Sequence, residues 1–361
     1  MTKVYVLQDG KYYTRNGEAF VFPLMYNRGR LKHYGVTLEF YSSISPKLFD
    51  CDVLCLGSEF FKSWWEESKR EDLFKFLEDA KRKVGRVVWF DTGDSTGSAK
   101  FMVLPYVDYY AKNQVLKDRQ GYKKKYYGSR IFTDFYHQQF EINDQDPGAP
   151  HLNHIPNEED LKKIGIGWNY GLANYGYYGE ALGKIWHKFG VLPRFYPHRW
   201  HKPSAKRPVL CSGRIGMSYS RETVGCSRRE IKRLLNGKIV MDRLPKKEYF
   251  KELCQSIFAI SPFGFGEICY RDFEIIICGS AMIKQNMDHL ETWPDLWITG
   301  QTYLPFVWNL SDFEQQMEYA LQHPQDMIEL ARNAQEEYKR VLCTDEGQEE
   351  FCRRFINIIK A

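Results

Sequence analysis

The segment Ser261-Pro-Phe-Gly-Phe-Gly-Glu-Ile-Cys-Tyr-Arg-Asp-Phe-Glu-Ile-Ile-Ile-Cys-Gly-Ser-Ala-Met-Ile283 constrains this chain more than any other. It follows the apolar run beginning at Ser256 with a glycine-rich turn, a helical stretch over Tyr270–Cys278, a terminating glycine and a second apolar run. Strand, tight turn, helix and strand in that order belong to a parallel sheet covered by helices on its faces. The turn then lies at a strand's carboxyl end, beside a helix N-terminus with unpaired N–H groups.

The same alternation extends on both sides. From Arg207 onward the pattern predicts strands at Pro208–Ser212 and Lys238–Met241, helices at Arg229–Leu235 and Lys246–Gln255, and helices at Ser311–His323, Pro324–Leu342 and Glu346–Lys360. An earlier series covers residues 36–110. It has strands at Val36–Phe40, Asp52–Leu56 and Arg86–Phe90, and a helical stretch at Ser63–Lys83 whose Leu73, Phe76, Leu77 and Ala80 recur at spacings of three and four. Between the two series, Asp-Pro-Gly-Ala-Pro and the Gly/Tyr-rich run Gly165–Gly179 read as punctuation, with one helix at Tyr178–Phe189. The expectation is an α/β protein of two Rossmann-like domains. Residues 1–150 form the first, 151–206 the connection, 207–345 the second, and 346–361 a terminal helix that could cross back. At 361 residues, 43% hydrophobic, the chain suits two cores of ordinary size.

A net charge of +5 falls short of a dedicated nucleic-acid binder and suits an anionic small ligand or an acidic membrane surface. Nine scattered cysteines, with no Cys-x-x-Cys pair and several in apolar runs, read as reduced thiols of a cytoplasmic protein. No apolar run is long enough to span a bilayer, so contact with a membrane would be peripheral.

Chemistry concentrates in the opening segment. Gly264 and Gly266 allow a ligand close to the backbone. Glu267, Arg271 and Glu274, spaced four and three apart, are expected on one helix face, where a carboxylate can hold two ribose hydroxyls and an arginine can fork onto phosphate. The competing reading is an ordinary amphipathic helix with a Glu267–Arg271 ion pair.

Here the chain resembles the GT-B glycosyltransferases, especially their group 1 type. The run Phe273-Glu274-Ile-Ile-Ile-Cys-Gly279-Ser-Ala-Met-Ile283 is similar to their donor-binding segment. The arginine and glutamate of Tyr270-Arg271-Asp272-Phe273-Glu274 resemble a pattern of exostosin-like transferases. Val209-Leu-Cys-Ser-Gly213-Arg214 is similar to the strand, glycine and arginine that open the donor domain. Arg243-Leu-Pro-Lys246 with Glu248–Ile260, and Gln301–Leu342, resemble its later helices and strands. The resemblance covers about residues 207–361. It implies a fold of two Rossmann-like domains facing a central cleft, and sugar transfer from a nucleotide-diphosphate sugar without a metal or other cofactor. Arg214 would face the diphosphate and Glu274 the ribose, with Arg221 or Lys284 as a second cation. The family separates its two glutamates by seven residues, whereas Glu267 and Glu274 are separated by six, which leaves Glu267 and the stereochemical course open.

The first domain is then expected to hold the acceptor and a general base. Asp91 and Asp94, in a Gly/Ser/Thr loop after Trp89-Phe90, are the best placed. Glu59 is a further carboxylate after a strand, and His33, His151 and His154 are weaker choices. Capping of a turn is the ordinary alternative for either aspartate. Asp144-Gln-Asp146 imitates a metal-binding Asp-x-Asp but precedes Pro-Gly in a loop, so no metal site is assigned to it. Lys123-Lys-Lys125-Tyr-Tyr-Gly-Ser-Arg130 reads as a solvated face that could also meet a lipid carrier's phosphate, an anionic glycan or single-stranded nucleic acid. The expected function is glycosyl transfer to a hydroxyl of a glycan or lipid-linked acceptor in cell-surface polysaccharide synthesis. Two alternatives stand beside it: transfer to modified bases in DNA, and a non-catalytic glycan-binding module.

Overall fold

A computed structural model describes residues 1–11, 14–145, 153–189, 196–197 and 199–361. The first series begins earlier than the pattern from residue 36 suggests. Its strands are β1 (Thr2–Leu7), β2 (Val36–Tyr41), β3 (Val53–Gly57), β4 (Arg86–Asp91), β5 (Tyr109–Lys112), β6 (Gln114–Leu116) and β7 (Ile164–Ile166). Its helices are α1 (Arg15–Tyr26), α2 (Arg28–His33), α3 (Glu67–Lys83), α4 (Ile131–Phe140), α5 (Glu158–Leu161) and α6 (Gly179–Phe189). Six strands pair in parallel in the order β2-β1-β3-β4-β5-β7. Strand alternation sorts their side chains to two faces. Val4, Val6, Val53, Cys55, Val88 and Phe90 enter one core, and Tyr5, Leu7, Leu54, Leu56, Val87 and Trp89 enter the other, against Leu73, Phe76 and Leu77 of α3. β7 falls in the stretch read from sequence as a connection (residues 151–206). Three residues between glycines and loops are too few for a periodic signal, and β5 recruits them.

The second series has β8 (Val209–Ser212), β9 (Ser256–Ile260), β10 (Ala281–Gln285), β11 (Leu290–Thr292) and β12 (Leu304–Phe306). Its helices are α7 (Glu222–Leu235), α8 (Lys246–Gln255), α9 (Tyr270–Cys278), α10 (Phe313–Gln322), α11 (Pro324–Cys343) and α12 (Asp345–Lys360). Its sheet is parallel in the order β12-β10-β9-β8. Two expectations fail here for local reasons. Lys238–Met241 is not a strand. Asn236 and Gly237 leave α7 through two left-handed residues, Ile239 and Met241 pack irregularly on the core, and β8 stays at the sheet edge. α7 starts seven residues before Arg229 because Asp144 caps it from the first domain, accepting from the Thr223 N–H and hydroxyl at 2.8 Å each. That cap is the ordinary occupation of Asp144. Asp146 and His151 lie outside the described residues.

The domains are joined at several places. β6 and β11 pair antiparallel as a ribbon between them, with Val115 opposite Glu291. α12 returns to lie on β4, β5 and α2, placing Phe351 and Phe355 in the core that holds Phe90 and Trp168. Asn27 there donates to Gln348 at 2.7 Å. Two Rossmann-like domains facing a cleft is the GT-B architecture.

Candidate functional site

β9 ends at Ile260 and the chain turns through Ser261–Cys269 before α9 begins. Asp272 holds this turn. It accepts from the Cys269 N–H at 3.0 Å and the Ser261 hydroxyl at 2.5 Å, and pairs with the buried Lys284 ammonium at 3.1 Å. Lys284 is thereby spent inside the domain and offers no second cation to a ligand. The first turn of α9 borders a cavity of about 550 Å³, lined by Arg214, Tyr249, Arg271 and Glu274 of the second domain and by Asp94 and Tyr170 of the first.

Arg271 is the most informative residue in that cavity. Its Nη1 is buried with no hydrogen-bond partner. Burial opposes its charge, but Tyr249, Cys269, Glu274 and Asp272 around it outweigh burial and hold its pKa above the usual guanidinium value. A buried N–H donor without an acceptor costs about 1–3 kcal/mol, a cost that a turn of the guanidinium towards an anion in the cavity would relieve. One turn on, Glu274 accepts from the Tyr249 phenol at 2.9 Å, and burial pushes its pKa up despite that bond and Arg271. Arg214 also lines the cavity, but its guanidinium is occupied. Nε and Nη2 fork onto Glu252 at 2.6–3.0 Å, and Nη1 donates to the Asp242 carbonyl at 3.1 Å.

Arg228, which the sequence did not single out, fixes the walls. It donates to the carbonyls of Phe263, Gly216 and Pro262 at 2.7–3.0 Å and lies 4.8 Å from the Tyr219 ring. Tyr219 meets Phe265 edge-on at 5.2 Å, so two aromatic rings stand beside the turn. Tyrosines at 170, 219 and 249 are far apart in sequence and form no motif.

Glu267 belongs to different chemistry from that expected. It precedes α9 instead of sharing its face, because Cys269 caps the helix and the turn is drawn into the first domain. Its buried carboxylate accepts from the Ser95 hydroxyl at 3.1 Å, the Thr96 hydroxyl at 2.6 Å, the Thr96 N–H at 3.2 Å and Gln114 at 3.3 Å. Burial raises its pKa, but His289, at 3.8 Å, and Thr96 reverse this and keep it low. Gly266 is packed as closely: a Cβ there would drive into the Asp94 carbonyl. Its bareness serves the domain contact. Gly264 is roomier, with Tyr219 and Arg228 as the nearest atoms to a Cβ.

The two aspartates of the β4 loop part company. Asp91 is sealed below the cleft, accepting from the Lys112 ammonium at 3.1 Å, the Tyr110 phenol at 2.5 Å and the Gly93 N–H at 2.8 Å. Both members of the Asp91–Lys112 pair are buried, which removes Asp91 as a free base. Asp94 is half-buried at the cavity, 3.3 Å from the Tyr170 hydroxyl. Glu59 and Asp9 line a separate small crevice with Asn16 and Thr92. Burial raises its pKa, and the charges of Asp9, Asp94 and Asp91 add to this against Lys62.

No family model matches the chain, and no curated protein matches its sequence. Among solved structures it is similar to an alpha-glucosyltransferase in complex with UDP, at 12% identity and a TM-score of 0.43 over 100% of both chains. The same enzyme with UDP-glucose and DNA containing an abasic site gives 12% and 0.41, again over 100% of both chains. HepE of Anabaena in complex with UDP and glucose gives 10% and 0.44 over 100% of both chains. Likenesses at this level decide nothing about chemistry, which rests on the residues above. What the chain's own topology establishes is its fold, two Rossmann-like domains of the GT-B type around one cleft.

Proposed function

We propose that the protein transfers a sugar from a nucleotide-diphosphate sugar to a hydroxyl acceptor in this cleft. The observation that carries the reading is the unpartnered Nη1 of Arg271, in the first turn of α9 and in a cavity shared with Glu274. An arginine fork and a helix N-terminus together fit a diphosphate, and they offset the charge that develops on the leaving nucleotide. Glu274, braced by Tyr249, suits the ribose hydroxyls, and Tyr219 and Phe265 suit the base. Arg214 would join the diphosphate by exchanging Glu252 for it. Asp94, across the cavity, is the carboxylate best placed to take the acceptor's proton.

Asp9, Glu59 and Asp94 give the acceptor side a negative character, which favours a neutral sugar hydroxyl over a phosphate-rich strand. A cell-surface glycan is therefore our reading of the acceptor. Calorimetric titration with UDP, GDP and ADP, and then with their sugars, tests the proposal. One nucleotide should bind the wild type, and Arg271→Ala should abolish most of that binding. Retention of full affinity in Arg271→Ala would remove the donor from this helix.

A further inference from the structure

α6 carries more apolar surface than the protein covers. Gly179, Gly183 and Trp186 form its buried face, with Trp186 edge-on to Phe22 at 5.5 Å. One position earlier on each turn, Tyr178, Leu182, Ile185 and Phe189 make a second stripe at spacings of four, three and four. Tyr178, Ile185 and Phe189 are 65%, 49% and 64% exposed. An apolar arc of this width belongs to a helix buried on both sides. Lys184 and Lys188 flank the stripe, Lys188 with its ammonium 5.2 Å from the Phe189 ring. Tyr178 and Leu182 also line a cavity of about 380 Å³ against Phe250 of α8, where Arg199, Lys247 and Lys251 supply further cations. Lys184, Lys188, Arg199, Lys202 and Lys206 are exposed, and no Asp or Glu stands between Ala181 and Arg207 in the sequence. Glu180, the acid of α6, is shared between Lys184 at 2.8 Å and Lys246 at 3.3 Å.

We propose that α6 is a docking surface for an anionic lipid bilayer. The exposed stripe sinks into the boundary between headgroups and acyl chains while the surrounding lysines and arginines meet the lipid phosphates, the division of labour of an interfacial amphipathic helix. A run of cations free of carboxylates matches the diffuse negative charge of a lipid surface, where a protein partner would call for paired signs. The inference does not depend on glycosyl transfer.

Co-sedimentation of the full chain with vesicles tests it. The chain should pellet with vesicles of phosphatidylcholine and phosphatidylglycerol, bind vesicles of phosphatidylcholine alone far more weakly, and lose binding as salt rises. Ile185→Glu with Phe189→Glu should lower the partition coefficient about tenfold or more, because each places a charge in the apolar boundary. Lys184→Glu with Lys188→Glu should lower it on anionic vesicles only. These side chains are exposed, so an unchanged thermal midpoint in each variant shows that folding is intact. No binding to anionic vesicles at low salt overturns the proposal, as does binding indifferent to both double variants. A lipid-indifferent dimer dissociated by Ile185→Glu would assign the surface to a second copy of the chain instead.

Discussion

At the scale of single residues, two arginines of the cavity differ in what they have to lose. Arg271 presents a nitrogen with no partner, and Arg214 is already forked onto Glu252. Arg271→Ala should weaken nucleotide binding by about 2–5 kcal/mol, and Glu274→Gln by ten- to a hundredfold, about 1.5–3 kcal/mol, both read by calorimetry. Asp94→Ala should lower kcat by about 10²–10⁴ with nucleotide affinity little changed. Asp91→Ala should act on folding instead, destabilising by about 3–5 kcal/mol because Lys112 is left buried and uncompensated. Denaturant titration beside steady-state kinetics separates these two aspartates. Sequence placed both in one loop after one strand, and there its discrimination ended. The difference comes from Lys112 and Tyr110 of β5, a strand with no readable pattern. A pH dependence follows from Glu18. Burial lifts its pKa to about 7 against the pull of Arg15 at 2.9 Å and the Asn174 N–H. Its folded pKa lies above the unfolded value, so its contribution is fully present below about pH 4.5 and is lost as pH rises through 7. Wild type should therefore lose at most about 3 kcal/mol relative to Glu18→Gln between those limits, in unfolding measured at pH 5 and pH 8.

At the scale of elements, strands and helices with strong periodicity were legible, and those fixed by distant partners were not. α8 and α9 fall where spacing and punctuation place them. The early start of α7 depends on Asp144, and the irregular path of Lys238–Met241 on two left-handed residues. Gly279 shows both sides of this. Its role in ending α9 is visible in sequence, and its φ of +71° bears that out. Hidden from sequence is the His201 carbonyl, into which a Cβ would drive. Gly237 ends α7 at a similar φ of +76° with open space around it. Gly237→Ala should cost about 1–2 kcal/mol, the price of a left-handed alanine, and Gly279→Ala measurably more. Equal losses in denaturant midpoint would mean that the close approach to His201 contributes nothing.

At the scale of the whole molecule, the second domain is not an independent unit. α12 belongs to the second series by sequence but packs Phe351, Cys352 and Phe355 into the core shared with the first. A fragment starting near Arg207 and keeping α12 should expose that apolar face and associate. The same fragment ending at Cys343 should stay dispersed at equal concentration, as sedimentation velocity would show. Nucleotide binding by either fragment is expected to be weaker than in the full chain, since the wall that Tyr170 supplies is gone from the cavity. The periodicity of α12 announces a helix with one apolar side, and nothing in it announces which domain that side will meet.

Glu267 and Gly266 set how a ligand can be admitted. Asp94 and Gly266 touch at the point where both line the cavity, and Glu267 ties the same loop with three hydrogen bonds and β6 with a fourth, from Gln114. The two walls therefore stand at a fixed separation beside the site, like the jaws of a gauge set in advance. On the reading proposed above, a donor would be met first by side chains, above all by an exchange of partners at Arg214.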